Sequence, residues 1–404
     1  MRTAAPPQPK RTTPEGRTAW PAVIAVTTGI FAIVTTEILP IGLLTSIGSS
    51  FDVSDGMAGL MMTMPGLLAA IAAPLVTVTT ARIDRRAMLC LLILALAVAN
   101  FLAATASDYS LLLVSRVIVG VTIGGFWSIG AGLASRLVPP ASVGRATAVI
   151  FSSVPLGSVL GVPAGTFIGE SAGWRTAFVV MGILSAAVLA ALFLTLPSLP
   201  PERPTRLAVL GDMLRRPGTR FALVVTVLIV IAHFGAYTYV TPFLQDVTSA
   251  DSAAITVVLL VYGAAGIIGN LVCGAAVSRH PRAVFAAVAA TIAAGTLLLP
   301  VLGHGLAGAV ALLAVWGLAY GGVPVCSQTW FARSAPHAVE ASSVLFTASF
   351  QASIAMGALA GGVVVDHSSP SAVMALGGLT ALVIGVHGAR RSDSLRPFMV
   401  RSNR

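Results

Sequence analysis

Apolar residues in this chain come in long blocks, without the strict alternation of half-buried strands or the polar stripe of a surface helix. Marking those blocks and the polar or Pro/Gly breaks between them predicts twelve helices, near residues 21–46, 56–78, 87–106, 110–134, 145–169, 174–196, 219–243, 253–277, 283–302, 306–331, 340–364 and 370–388. At ~1.5 Å per residue, about 20 residues cross a hydrocarbon layer of roughly 30 Å. Backbone groups in hydrocarbon need partners within their own segment, and the short alternating segments of a membrane barrel are missing from the sequence. The expected fold is therefore an all-α integral membrane protein of twelve transmembrane helices. Residues 1–20, with Pro6, Pro7, Pro9 and Pro14, read as a polar tail, and the first apolar block is too long for the core of a cleaved signal peptide.

Composition removes the soluble alternatives. Charged residues are 9% of 404, against about 25% in soluble proteins. Hydrophobic residues are 56% and mean hydropathy is +0.92. A net charge of +10 would suggest nucleic acid in a soluble domain, but here the cations sit in loops between apolar blocks. Counted by side, 22 of the 24 lysines and arginines fall in the two tails and the loops after blocks 2, 4, 6, 8 and 10. The opposite loops carry acids such as Asp52, Asp55, Asp108, Asp246 and Asp251, with Arg175 as their one cation. Positive loops stay inside, so both termini are expected on the cytoplasmic side of the membrane, and no nucleic acid is expected as partner. Cys90, Cys273 and Cys326 lie within apolar blocks without metal-ligand spacing, and neither a disulfide framework nor a metal is expected.

Shifting the chain by 197 residues superposes Arg82 and Arg85 on Arg279 and Arg282, Gly120 and Gly125 on Gly317 and Gly322, Arg136 on Arg333, and Gly165 on Gly362. One offset that matches an arginine loop and a glycine helix points to two pseudo-symmetric six-helix bundles, 21–196 and 219–388. They are joined by a cytoplasmic Pro/Arg-rich linker at 197–218 and followed by a tail at 389–404. Duplicated six-helix halves build one large class of transporters, with the solute site between the halves.

With this layout, the run Ser115-Arg116-Val117-Ile118-Val119-Gly120-Val121-Thr122-Ile123-Gly124-Gly125-Phe126-Trp127, then Leu160-Gly161-Val162-Pro163-Ala164-Gly165 and Gly173-Trp174-Arg175, resembles the major facilitator superfamily. Within it the chain is most similar to the bacterial drug:proton antiporters, in the branch of purine ribonucleoside, sugar and arabinose-type efflux permeases. The resemblance implies proton coupling through Arg116 and a variant antiporter motif at Gly157, Gly161, Pro163 and Gly165, with Val162 between a glycine and proline usually adjacent. It also implies a cytoplasmic gating loop at Arg82, Asp84, Arg85 and Arg86, although Ala81 stands where that motif usually has aspartate.

Away from the span ends, two charged residues fall inside the predicted spans, Glu37 and Arg116. Such residues are expensive in hydrocarbon and normally face a cavity or a partner. Counted from the outer ends at ~1.5 Å per residue, they lie about 15 Å and 10 Å deep, so they can meet if spans 1 and 4 adjoin. Competition at Glu37 between desolvation and a nearby arginine would make a movable proton site; a permanent bridge that only fixes packing is the alternative. Helical spacing picks out His233 and Tyr237 in span 7, Tyr262 and Asn270 in span 8, Tyr320 and Gln328 in span 10 and Gln351 in span 11. With Trp127 these are candidates to line a cavity for a neutral or amphipathic solute, the alternative for each being interhelical packing. His233 is also the one whose ordinary titration lies near neutral pH.

The sequence has no paired carboxylates, His-x-x-x-His, Cys-x-x-Cys or phosphate-binding Gly-Lys-Ser/Thr, which argues against a membrane-embedded enzyme and for no cofactor. The expectation is a monomeric secondary transporter in the bilayer, not an enzyme, exchanging a small-molecule substrate for protons, with export implied by the resemblance. A passive facilitator or a proton-coupled importer is the other reading.

Overall fold

The computed structural model describes residues 19–80, 83–130, 133–200, 207–277, 279–334 and 339–390. All but the innermost two residues of each predicted tail, and part of the linker, lie outside them, as does Arg82 of the predicted gating loop. Among the described residues every regular element is a helix. The long ones are α1 Trp20–Phe51, α2 Leu60–Thr79, α3 Arg85–Ala104, α4 Tyr109–Gly130, α5 Val143–Ala172, α6 Trp174–Thr195, α7 Pro217–Tyr237, α8 Ser252–Val277, α9 Pro281–Leu302, α10 Leu306–Ser334, α11 Val339–His367 and α12 Pro370–Arg390. Eleven of these crossings are long and apolar enough to span a membrane on a conservative count, and the twelfth is the shorter apolar stretch of α12.

One predicted span is not continuous. The block at 219–243 breaks after Tyr237 and resumes as a separate helix, Val240–Asp246. Pro242 has no N–H for the carbonyl of Thr238, and proline is tolerated where it falls, in the first turn of the new helix. The Tyr239 hydroxyl then donates to the carbonyl of Ala358 on α11 (2.7 Å), which fixes the turn.

Within each half the helices pair alike: α1 with α5, α2 with α4 and α3 with α6, then α7 with α11, α8 with α10 and α9 with α12. The glycine seams repeat at atomic level. A Cβ on Gly120 would meet the carbonyl oxygen of Pro65, and one on Gly317 that of Tyr262; Gly124 faces the oxygen of Ala69, and Gly321 that of Gly266. All four pairs preserve the offset of 197. In a membrane such seams matter because helices gain little from burying apolar surface and are held by close backbone packing.

The apolar core forms two clusters. One is built from residues between Ala22 and Leu199, the other mainly from residues between Val225 and Ile384. The second also takes in Ile41, Leu44, Ala58, Met62 and Val162, from the parts of α1, α2 and α5 nearest the acid-bearing loops and from the short helix Asp55–Ala58 before α2. The halves therefore close on each other at that end, chiefly through α2 against α11 and α5 against α8. Polar contacts reinforce the closure. Asp366, at the end of α11, accepts bonds from the Ser54 hydroxyl (2.7 Å) and the Gly56 N–H (2.8 Å), and Thr241 donates to the carbonyl of Ile41 (2.8 Å).

Candidate functional site

Among the described residues, the buried carboxyl and guanidinium side chains are those of Glu37 (6% exposed) and Arg116 (0%). They are brought together, but not as a carboxylate–guanidinium pair. Arg116 donates from Nε to the carbonyl of Met61 (3.0 Å), from Nη1 to that of Thr36 (3.1 Å) and from Nη2 to the main-chain carbonyl of Glu37 (3.0 Å). The choice of acceptors follows from proline. Pro40 interrupts α1 and Pro65 interrupts α2. A proline in a helix leaves the carbonyl four residues earlier without its donor. Those carbonyls belong to Thr36 and Met61. Arg116 thus caps both orphaned oxygens within transmembrane helices, where an unpaired main-chain group is costly.

The Glu37 carboxylate is left to face the other half. Its Oε1 accepts a bond from Nε2 of Gln351 on α11 (2.9 Å), while Oε1 of Gln351 is buried without a partner. Gln351 was legible as a candidate by its spacing on α11; its pairing with Glu37 was not, since nothing in the chain relates positions 314 residues apart.

Four of the aromatic candidates meet in one packed group. His233 stacks on Tyr320 with ring centroids 3.3 Å apart, and Tyr237 stacks on Tyr262 at 4.5 Å. Trp316 closes the group, its Nε1–H donating to Nδ1 of His233 (3.1 Å). An indole N–H only donates, so His233 carries its proton on Nε2, within 3.5 Å of the Tyr262 hydroxyl. His233, Tyr237, Tyr262 and Trp316 are all buried and Tyr320 is half-buried. Trp316→Phe should lower stability by roughly 1 kcal/mol through the lost bond, checked by thermal unfolding in detergent.

The other candidates lie apart from this group. Trp127 is half-buried against Phe151 of α5 (6.1 Å), Asn270 is half-buried towards the arginine-bearing end of α8, and Gln328 is exposed near the corresponding end of α10. Gly157, Gly161 and Gly165 turn to α1, against Val34, Ile38 and Leu39, and Pro163 is buried beside them. Val159, by contrast, turns to the other half and is seated on Gly263 of α8.

In the predicted gating loop, Asp84 caps α3 by accepting from the N–H groups of Arg86 (2.8 Å) and Ala87 (3.4 Å), and it accepts from the Ser198 hydroxyl (2.5 Å). Slight burial works against its charge, but these bonds outweigh it and hold the carboxyl below its usual range. Arg86 donates to the carbonyl of Phe193 (2.6 Å), and Arg85 donates to Thr80 (3.4 Å to its carbonyl). The described part of the loop therefore ties α2 and α3 to the end of α6.

Comparison with known proteins agrees with this architecture. A curated relative named transcription regulatory protein OpdE, from Pseudomonas aeruginosa, is 34% identical over 359 residues, covering 88% of this chain and 89% of the relative. A bacterial homolog of the human lysosomal transporter Spinster, solved in an inward-facing and unoccupied conformation, superposes with a TM-score of 0.67 at 16% identity, over 93% of this chain and 96% of that one. The human organic anion transporter MFSD10 (TETRAN) superposes with a TM-score of 0.62 at 17% identity, over 92% of this chain and 100% of that one. Residues 24–348 match the family described as Major Facilitator Superfamily, and the chain, a multi-pass membrane protein with the fold of those transporters, belongs to it.

Proposed function

We propose that this protein is a proton-coupled secondary transporter that exports a small neutral or amphipathic solute by alternating access, as the drug:proton antiporters it resembles do. Both termini are placed on the cytoplasmic side of a bacterial inner membrane, because 22 of 24 cations lie in the loops and tails of one side. The observation that carries the reading is the position of Glu37, buried and bonded to Gln351 across the boundary between the halves. Its proton occupancy and the relative position of the halves then bias one another, which is what coupling needs, since a ligand indifferent to conformation shifts no equilibrium.

Arg116 supports this role by fixing the kinked turn that carries Glu37, so the carboxyl keeps its place while its partners move. Trp127, Tyr320, Asn270 and Gln328 retain exposure and are the side chains assigned to the solute. Aromatic faces and amides suit a nucleoside, a sugar or a drug better than an ion. Export rests on the glycine and proline set of α5. Transport is preferred to the regulatory activity in the name of the Pseudomonas relative, because the chain has the fold of a transporter superfamily and its buried acid lies between the two halves.

The test is solute uptake into inverted vesicles under an imposed pH gradient, with a panel of nucleosides, sugars and amphipathic antibiotics. Glu37→Gln should lose gradient-driven uptake by tenfold or more while keeping solute counterflow. Gradient-driven uptake equal to that of the parent would remove Glu37 as the carrier, and uptake in the opposite sense would favour an importer.

A further inference from the structure

We propose that Glu37 and Gln351 form a proton-dependent latch between the halves, a two-bond acid–amide ring that is complete when Glu37 carries its proton. The inference rests on the proton-carrier reading and adds to it the residue through which the proton is felt.

Half of the ring is present: the Gln351 amide N–H donates to Glu37 Oε1 (2.9 Å). The other half lacks a donor. Oε1 of Gln351 is buried with no donor, an arrangement that native interiors avoid. An amide offers a donor and an acceptor side by side, and a protonated carboxyl offers the matching acceptor and donor. With the proton on the second carboxyl oxygen, its O–H donates to Gln351 Oε1 and both residues are satisfied. Without it, a carboxylate oxygen faces an amide oxygen and repels it. The proton comes from water reaching the site and returns there; no other bond changes.

Neither partner can readily turn elsewhere. Arg116 holds the main chain at Glu37 through the oxygens of Thr36 and Glu37. On the other side, Gly66 of α2 lies against the main-chain oxygen of Gln351, where a Cβ would come within 2.7 Å, so α11 is seated on the opposite half at this residue. The ionisable groups that feel the Glu37 charge are Arg116 of α4 and Tyr320 of α10. Arg116 is committed to carbonyls, which leaves Gln351 as the group that distinguishes the two protonation forms by geometry. Proton loading thus favours closure at the acid-bearing end, and proton release loosens it.

The experiment measures the distance across that end in the full chain in lipid nanodiscs, by electron–electron resonance between spin labels at the exposed positions Ser107 and His304, with the three native cysteines replaced. In the parent, the closed-to-open ratio should rise about tenfold as pH falls through the Glu37 titration, the effect of roughly one hydrogen bond. Glu37→Gln, whose amide can complete the ring without a proton, should hold the closed-to-open ratio that the parent reaches at low pH, and hold it at every pH. Gln351→Met should abolish the pH response, and the double variant should release the closure that Glu37→Gln imposes. If Gln351→Met does not fold, Gln351→Asn, one methylene too short for the ring, replaces it. A pH response unchanged by either Gln351 variant would overturn the latch, and so would a Glu37→Gln protein that opens freely. Proton coupling of transport, measured in the same variants, separates this failure from that of the carrier: coupling retained in the parent and lost in Glu37→Gln leaves the carrier standing without its latch.

Discussion

Arg116→Met is expected to cost most of the folded protein, and Pro40→Ala or Pro65→Ala, added to it, to restore part of the loss. The methionine fills similar space but donates nothing. The carbonyls of Thr36 and Met61 would then lie in the membrane interior with no donor, at about 1–3 kcal/mol each. Each alanine returns to its helix the N–H that the proline withholds, so each should recover roughly one oxygen's share. Arg116→Lys should fall between, because a single ammonium cannot span oxygens on both α1 and α2 as the guanidinium does. Thermal unfolding of the five proteins in one detergent decides the matter. Destabilisation that neither alanine relieves would mean that Arg116 acts through its charge and not as a cap.

The second large effect is expected at the seam between α8 and α10. A Cβ on Gly321 would collide with the carbonyl of Gly266, and one on Gly317 with that of Tyr262. Those obstacles are main chain, so no rotamer change removes them. Gly321→Val should force the helices apart and abolish the monodisperse species, and even Gly321→Ala should destabilise by more than the 1–3 kcal/mol usual for overpacking. Gly274→Ala is the control, for its Cβ would meet only a methyl of Val325 at 3.7 Å. Equal melting temperatures for Gly321→Ala and Gly274→Ala would show that the seam yields.

Most of the architecture was legible because membrane helices announce themselves by length and apolarity alone. The predicted limits of α8, 253–277, differ from those observed by one residue, and the 197-residue offset reappears as matched glycine seams. The break in α7 was missed because the block at 219–243 is apolar on both sides of it; Pro242 was the available signal. For the site, spacing and rarity singled out Glu37, Arg116 and Gln351, but not who bonds whom. An attraction between opposite charges suggested a bridge, whereas the geometry gives Arg116 to main-chain oxygens and Glu37 to an amide. Pro40 and Pro65 carried that information, since each marks an orphaned carbonyl four residues before it. For the aromatic residues the sequence leaves cavity lining and interhelical packing both open, because polarity on one helical face does not tell a wet wall from the packed group that His233, Tyr237, Tyr262 and Trp316 form.

The repeated seams have a last corollary for how the duplicated copies grew apart. At the shared offset Pro40 faces Tyr237, Pro65 faces Tyr262 and Arg116 faces Leu313. One copy owns two bends and the cation that serves them; its twin has two stacked phenols and an aliphatic side chain in their stead. A cation alone would be stranded in oil, and a bend alone would leave a bare oxygen. These three sites therefore work as a trio, and chimaeras that exchange one of them without the others should be the hardest to obtain.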